Sequence, residues 1–193
     1  MAIAFQIGRR VILRPAEETD AEVLAEYINH PETRRFIMVR FPKSLREERE
    51  WIASLSTKGT PQNLVFVVER KRDGQAIGVV GLHQIDWVQR RCVSGSFIGP
   101  PRLRGEGYGT EAKSLLLDYA FGELGMQSVW ALVFADNTPS IRALEKQGYR
   151  RGGVHRKSVW RGSTWIDSYY YDILQEDWAA LRRKPRARSK GRR

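Results

Sequence analysis

The sequence predicts one mixed α/β domain, of the α+β type, in which short strands alternate with amphipathic helices. Strand-like runs rich in Val, Ile and Phe lie on both sides of a hairpin turn signal, Arg72-Asp73-Gly74. Two capping-box patterns, at Thr19 and Ser44, precede apolar residues at helical spacing. The chain has 193 residues, of which 41% are hydrophobic, and this is sufficient for a single core.

The sequence patterns in the first half of the chain predict two helices and four strands. The capping patterns start the helices, and His30-Pro31 breaks the first of them. The apolar stripe of the second helix includes Trp51 and Ile52. The strands are predicted at residues 10–13, 64–68, 77–85 and 92–98.

The second half predicts a glycine-rich turn at residues 105–109, followed by a helix with apolar residues from Ala112 to Ala120. The nearly unbroken apolar run at residues 129–135 is typical of a strand buried on both faces. The remaining predicted elements are a helix at residues 137–147 closed by Gly148, strands at residues 149–160 and 164–174 around Arg161-Gly162, and a terminal helical turn at residues 177–181.

Positive charge is concentrated at the C-terminus. The net charge is +11, and residues 182–193 contain eight Arg or Lys and no acid. We therefore expect a single domain at residues 1–181 and a basic, mobile tail. The tail could contact the ribosome or nucleic acid, or it could act only as a solubilising end. No recognisable nucleic-acid-binding motif supports the first alternative.

The single cysteine, Cys92, excludes an intrachain disulfide and favours a reducing, cytoplasmic location. It lies in a strand-like run without a histidine at a diagnostic spacing, so we do not predict a catalytic thiol. No apolar run approaches the ~20 residues that span a bilayer, and the N-terminus does not resemble a secretory signal. We expect no membrane association and no metal site.

The turn Arg104-Gly105-Glu106-Gly107-Tyr108-Gly109-Thr110 is suited to a pyrophosphate. The first N–H groups of a helix are unpaired, the helix dipole adds positive potential, and glycines leave room for a phosphate. A P-loop is excluded because no lysine precedes Thr110. Gly107-x-Gly109-x-x-Ala112 fits a dinucleotide fingerprint formally, but no convincing acid follows about 20 residues later. A plain tight turn remains the alternative for this segment.

Further motifs follow the turn. Asn137-x-x-Ser140 begins a helix after an apolar strand, and Glu145-Lys146-Gln147-Gly148-Tyr149 ends it. Together with Arg-x-x-Gly-x-Gly at Arg104, this arrangement resembles the GNAT acetyltransferase superfamily, most specifically over residues 94–149. Residues 107–112 resemble the branch of ribosomal-protein N-terminal and spermidine acetyltransferases. The resemblance implies a mostly antiparallel sheet with one splayed parallel strand pair and flanking helices.

The resemblance also implies an N-acetyltransferase that moves an acetyl group from acetyl-CoA to a primary amine by direct attack in a ternary complex. The acceptor could be a protein N-terminus, a polyamine or an aminoglycoside-like compound. The implied cofactor-binding residues are Phe97, Ile98 and Gly99 through their backbone, Arg104, Gly105, Glu106, Gly107, Tyr108, Gly109 and Thr110 around the pyrophosphate, and Asn137, Ser140 and Lys146 along the next helix.

The catalytic acid and base depart from the family pattern. Leu144 occupies the position of the usual tyrosine, and the usual glutamate would lie near Ser94. Some members of the branch use the serine at the Ser140 position, so Ser140 is the predicted proton donor. His83 is a possible base, although a structural histidine is an alternative. The weaker candidates for the base are His155 and Asp86. A regulator that binds coenzyme A without turnover also remains an alternative.

The acceptor side is expected to come from the first two helices and the final hairpin. The aromatic candidates are Trp160, Trp165, Tyr169 and Tyr170. A polycationic acceptor would need acids, for which the candidates are Glu32, Glu47, Glu48 and Asp86. Members of the family are often monomers or dimers, and either state is expected here.

Overall fold

The computed structural model describes residues 3–55 and 59–183. It contains eight strands, β1 (Gln6–Ile7), β2 (Val11–Arg14), β3 (Leu64–Arg70), β4 (Gln75–Asp86), β5 (Arg91–Ile98), β6 (Ser128–Phe134), β7 (Arg150–Arg161) and β8 (Thr164–Leu174). The α-helices are α1 (Ala21–Asn29), α2 (Pro31–Arg34), α3 (Leu45–Ser54), α4 (Tyr108–Gly122), α5 (Thr138–Lys146) and α6 (Gln175–Arg183). Short 3-10 turns lie at Glu18–Asp20 and Pro101–Leu103.

All strands belong to one sheet in the order β1-β2-β3-β4-β5-β6-β8-β7. Every neighbouring pair is antiparallel except β5 and β6, which run parallel. These two strands pair at only three positions, and the last pair joins Val93 to Trp130. Beyond it both strands continue without pairing to each other, and we call the gap between residues 94–98 and 131–134 the fork. The predicted fold class, including the splayed parallel pair, is confirmed.

Helices cover both faces of the sheet. On one face, Leu116 and Leu117 of α4 and Trp178 of α6 pack on the apolar side chains of the central strands. On the other face, Leu24 of α1 and Ile52 of α3 pack on a smaller cluster. We refer to these as the α4 face and the α1–α3 face. The two layers leave the end of the fork between them, and this is where the site described below lies.

The predicted two-sided burial of β6 is wrong. Val129, Ala131 and Val133 are buried on the α4 face, whereas Trp130 and Leu132 are only half-buried on the other face. Successive side chains of a strand point to opposite faces. The burial pattern therefore alternates over residues 129–133, and on the α1–α3 face Phe134, the last residue of the strand, is the one fully buried side chain of β6.

Local signals located most elements within a few residues. The Ser44 and Glu47 capping box is present at the start of α3. The helix predicted from Thr19 begins at Ala21, but its capping box is formed by Glu17 and Asp20 around the 3-10 turn, not by Thr19. Strand β1 was not predicted, because only two residues pair with β2.

Most of the predicted basic tail, residues 184–193, lies outside the described residues. Helix α6 continues through Arg182 and Arg183. In the described part of the chain, no helix combines the length and the apolar character needed to cross a bilayer.

Candidate active site

The fork presents free backbone groups of β5. Gly99 donates its N–H to the Ile77 carbonyl on β4 at 2.9 Å, which sets the alternation along this antiparallel pair. By that alternation Phe97 and Gly95 also bond to β4, whereas Ser96 directs its N–H and C=O groups, and Ile98 its N–H group, freely toward the fork. Ser96 was not among the residues predicted from the sequence. An extended ligand arm could therefore pair with β5 like an added strand.

The glycine turn supplies a run of unpaired donors. Arg104 donates its N–H to Pro101, and Glu111 donates its own to Gly107, each at 3.0 Å. The N–H groups of residues 105–110 have no hydrogen-bond acceptor among the described residues, and we call this run the cradle. Gly105 and Gly107 have φ values of 81° and 87°, a conformation that favours glycine. A Cβ at Gly105 would meet only open space, so the cradle is accessible.

The guanidinium of Arg104 fastens the cradle to two other elements. It donates to the Ile98 carbonyl at 3.0 Å and to the Gly99 carbonyl at 2.7 Å, at the end of β5. It also contacts Glu32 at 2.9 Å and Thr33 at 2.8 Å, both in α2. The predicted cofactor contact of Arg104 stays a prediction, and its observed partners assign it a positioning role.

The start of α5 lies beside the carboxyl end of β6. Asn137 is the N-cap, and its Oδ1 accepts the N–H of Ser140 at 3.3 Å. The half-buried Ser140 hydroxyl has no partner among the described side chains and backbone groups. Lys146 is exposed at the other end of the helix, about 13 Å away along the axis at ~1.5 Å per residue. Asn137 and Ser140 are therefore brought together, and Lys146 is not.

The two positions at which the family usually carries its catalytic acid and base are both buried in this protein. Leu144 packs in the core, and Ser94 is bonded through its hydroxyl to the hydroxyl of Tyr149 at 2.9 Å. Lys113 of α4 donates to the same Ser94 hydroxyl at 3.0 Å. Burial lowers the pKa of Lys113 to about 8 and raises that of Tyr149.

This cluster beneath the fork was missed in the sequence. Lys113 interrupts the apolar stripe formed by Ala112, Leu116, Leu117 and Ala120, and that interruption was the available signal.

His83 lies on the α1–α3 face at the base of the fork. It is opposite Val93, the last residue of β5 that pairs with β6. A Cβ at Gly81 or at Gly95 would lie 3.2 Å from its Nε2, so both glycines make room for the ring. The imidazole borders an open groove of about 590 Å³ that Trp51 and Gln62 also line. Burial, and secondly the charge of Lys113, lower the pKa of His83, so the neutral form that accepts a proton is favoured.

The two weaker candidates for the base lie apart from His83. Asp86 is the last residue of β4, where it pairs with Arg91 at 3.4 Å and accepts the N–H of Gln89 at 2.9 Å. His155 lies on β7, a strand at the edge of the sheet, and stacks on Tyr170 of β8 with ring centroids 6.4 Å apart.

The aromatic residues expected on the acceptor side do not form one cluster. Trp160 and Trp165 contact each other at the exposed end of the β7–β8 hairpin. Tyr169 lies under Arg151, whereas Tyr170 contacts Trp130. Adjacent strand residues point to opposite faces, so the two tyrosines are separated by the sheet.

The four candidate acids are also dispersed. Glu32 pairs with Arg104, Glu47 caps α3, and Asp86 ends β4, where it pairs with Arg91. Glu48 is buried on α3, and burial raises the pKa of its carboxyl. The structure therefore does not assemble them into a site for a polycation.

Comparison with known proteins gives a consistent result. The profile of the acetyltransferase (GNAT) domain matches residues 10–150. The probable N-acetyltransferase YjcK of Bacillus subtilis is 32% identical over 178 residues, which cover 88% of this chain and 97% of that protein. The crystal structure of an acetyltransferase (GNAT family) from Bacillus anthracis has a TM-score of 0.75 at 28% identity, covering 89% of this chain and 99% of that one.

A third similarity concerns the fold alone. The structure of spermidine N-acetyltransferase from Vibrio cholerae in complex with CoA and spermine has a TM-score of 0.81 at 21% identity. The match covers 88% of this chain and 98% of that chain.

Proposed function

The chain belongs to the GNAT family of acetyltransferases, and we propose that it transfers the acetyl group of acetyl-CoA to a primary amine. The observation that carries this proposal is the cradle of unpaired N–H groups at residues 105–110, which lies next to the fork between β5 and β6. A pyrophosphate needs such donors at a helix N-terminus, and an extended pantetheine arm needs a free strand edge.

The residues present fit that cosubstrate. The cradle would hold the pyrophosphate, Ser96 would bond to the arm through its backbone, and Ile98 would bond to it through its N–H group. Asn137 would contribute its side-chain amide, because only its Oδ1 is used in capping α5. Bound acetyl-CoA supplies a thioester, which is an activated acyl donor.

The transfer requires a neutral amine and a proton for sulfur. The amine nitrogen forms the new N–C bond while the C–S bond breaks, the amine loses one proton, and the sulfur gains one. We assign proton removal to His83, whose lowered pKa favours the neutral imidazole. We assign proton donation to Ser140, because its hydroxyl lies beside Asn137. Positioning of both substrates supplies the larger part of the rate gain.

The cradle is tested by a pair of glycine variants. Gly105→Ala and Gly74→Ala each place a Cβ at a positive φ, 81° and 68°, and in both cases the Cβ meets open space. Both should therefore carry a similar backbone cost, but only Gly105 lies in the cradle. We expect calorimetry to show coenzyme A binding about tenfold weaker for Gly105→Ala and unchanged for Gly74→Ala. Equal binding by both variants would contradict the cradle assignment.

Turnover is tested by thiol release from acetyl-CoA at mildly alkaline pH. The acceptors are an N-terminal Ala or Ser peptide, spermidine, an aminoglycoside and free amino acids. We expect amine-dependent release that falls by about 10- to 100-fold in His83→Gln and Ser140→Ala. Coenzyme A binding without release for every amine would favour the non-catalytic alternative.

The basic tail is tested separately by removing residues 184–193. We expect turnover to survive the truncation, because the cradle and the fork contain none of these residues. Salt-sensitive nucleic-acid binding that disappears with the tail, without any turnover in either form, would favour the binding-module alternative.

A further inference from the structure

Two arginines contact a single carboxylate just beyond the carboxyl end of β6, and a third covers the same phenylalanine ring as one of them. Arg161 bonds to Asp136 through Nη1 at 2.8 Å, and Arg35 approaches the same carboxylate oxygen at 3.8 Å. Arg40 lies over the ring of Phe134, with its guanidinium carbon 5.6 Å from the ring centre. We call Arg35, Arg40 and Arg161 the arginine cluster. The cluster therefore carries three positive charges, and one carboxylate pairs with two of them.

Two phenylalanine rings form the sides of this cluster. Phe134 lies under Arg161 at 4.9 Å as well as under Arg40. Phe36 lies 5.1 Å from Arg35 and 5.8 Å from Arg161. Each ring covers one side of a guanidinium plane, which leaves the edges of the guanidinium as the positions where hydrogen bonds form.

Arg161 has donors that no described group satisfies. Its side chain is 18% exposed, and its Nε and Nη2 atoms are buried without a hydrogen-bond partner. Buried donors nearly always have a hydrogen-bond acceptor in native proteins, so two donors without an acceptor on one guanidinium require an explanation. Burial lowers the pKa of Arg161, and the charges of Arg40 and Arg35 act in the same direction, against the opposing effect of Asp136. An anion bound here would satisfy the donors and compensate the excess charge.

The cluster lies beside the proposed reaction site. Asp136 directly precedes Asn137, the N-cap of α5, and Phe134 is the last residue of β6. Phe134 follows Val133, which points to the α4 face, so the cluster is on the α1–α3 face with His83. The glycine turn and α4 approach the fork from the opposite face. An acceptor amine would enter from the face that α4 leaves free.

We propose that the acceptor carries a carboxylate as well as its primary amine, and that Arg161, assisted by Arg35 and Arg40, binds this carboxylate. The inference rests on the proposed acetyltransferase function and names its substrate class. A guanidinium binds a carboxylate through two parallel hydrogen bonds, and Arg161 has two adjacent unpaired donors. The same surface disfavours spermidine and aminoglycosides, because polycations would meet three positive charges.

The test compares acceptors that differ in one charge. Each L-amino acid is paired with its carboxamide, and aminoethyl phosphate and spermidine complete the panel. The amine of a carboxamide is less basic and more often neutral, so chemistry alone favours the carboxamide. We expect wild-type kcat/KM to favour the free acid of at least one pair by about tenfold or more. Spermidine, aminoethyl phosphate or the carboxamides as the preferred acceptors would overturn the proposal while leaving the acetyltransferase function intact.

Arg161→Gln and Arg161→Lys test the residue itself. The substitution by Gln removes the charge, whereas the substitution by Lys keeps the charge but removes the planar pair of donors. For the preferred acid we expect kcat/KM to fall roughly 100-fold in Arg161→Gln and about tenfold in Arg161→Lys. The KM for acetyl-CoA and the turnover of the matching carboxamide should change less than about twofold. Arg151→Gln is the matched control, since Arg151 also lies on β7 and covers an aromatic ring, that of Tyr169 on β8, and this variant should behave as wild type.

A binding measurement separates failure of the inference from failure of the enzyme proposal. Calorimetry with each acid, in the presence of coenzyme A, reports the carboxylate contact even if no amine is acetylated. Weaker binding of an acid in Arg161→Gln than in wild type and Arg151→Gln supports the inference without turnover. Equal binding in all three proteins, or no binding of any acid, rejects it. Loss of coenzyme A binding in the wild type would instead count against the proposed function.

Discussion

Arg14 and Arg161 are two arginines with largely buried side chains, 7% and 18% exposed, and very different partners. Arg14 bonds to Asp20 through Nη1 and Nη2, each at 2.8 Å, and to Glu69 through Nε at 2.6 Å. Arg161 bonds to Asp136 through one nitrogen, and its other two are unpaired. The first charge is saturated by the fold, whereas the second has unused hydrogen-bonding capacity. The difference separates a cation that is paired through all three nitrogens from one that is paired through a single nitrogen.

Position explains the difference. Arg14 ends β2 and connects β3 to the turn before α1, so each of its partners belongs to the scaffold. These bonds raise the pKa of Arg14 above its ordinary value and lower that of Asp20. Lys113 is an intermediate case, because it is buried beneath the fork and donates to the neutral Ser94 hydroxyl. The three cations allow graded predictions about what each one contributes.

The largest effect is expected at Arg14. Arg14→Met leaves the buried Asp20 carboxylate without its cation, and this should reduce the free energy of unfolding by about 3–5 kcal/mol. Urea denaturation at pH 7 measures the change. The double variant Arg14→Met/Asp20→Asn should recover part of the loss, because the unpaired charge is removed. A loss below ~1 kcal/mol would mean that the two arginines do not differ as described.

At Lys113 the sign is opposite. Lys113→Met should stabilise the protein by about 2 kcal/mol at pH 7, because a pKa lowered to about 8 means that folding disfavours the protonated amine. In the wild type, the loss of stability caused by the buried ammonium is complete below pH 8. It is relieved as the pH rises toward 10.5, the ordinary pKa of a lysine. Denaturation at pH 7 and pH 10 should therefore show the advantage of the variant shrinking. Lys146→Met, on the exposed end of α5, should show no such trend.

Low pH should weaken the ion pairs of Arg14, with a smaller effect on stability than the two substitutions above. The lowered pKa of Asp20 means that its contribution is complete above the ordinary value near 3.8 and is lost as the pH falls through the lower, folded value. Between pH 5 and pH 3, the free energy of unfolding should decrease more steeply in wild type than in the Arg14→Met/Asp20→Asn variant, by about 1 kcal/mol. Parallel pH profiles of the two proteins would contradict this.

The smallest effect on stability is expected at Arg161. Arg161→Met removes two unpaired buried donors together with one ion pair, and the opposing contributions should leave the free energy of unfolding within about 1 kcal/mol of wild type. A saturating carboxylate-bearing acceptor should raise the melting temperature of wild type in the presence of coenzyme A and should not raise that of the variant. A loss comparable to that of Arg14→Met would make Arg161 a structural residue.

Short-range signals predicted most of the elements. The Ser44 capping box, the Asn137 cap and the Gly148 stop depend on residues three or four positions apart, and each is present. The parallel pair of β5 and β6 followed from resemblance to a family, because no local pattern specifies which strands become neighbours. Strand β1 was missed because a two-residue strand has almost no pattern of its own.

Long-range contacts account for what was missed in the site. The sequence indicated the cradle, since its three glycines, Gly105, Gly107 and Gly109, lie within five residues of the chain. The approach of Arg35 to Asp136 joins residues about 100 positions apart, and no spacing rule relates them. The same holds for Lys113 and Ser94, whose contact depends on how α4 lies on the sheet. The unpaired donors of Arg161 likewise depend on its three-dimensional surroundings, which no sequence pattern specifies.

Arg104 has one further consequence. Its side chain ties the backbone at Ile98 and Gly99 to Glu32 and Thr33, and Thr33 is two residues before Arg35. A ligand that orders the glycine turn therefore also restrains the segment that carries Arg35. Under the proposed function, each substrate should raise the affinity of the other, and thermodynamic reciprocity requires the two enhancement factors to be equal. Cutting this tether in Arg104→Met should turn cooperative binding of the two substrates into independent binding.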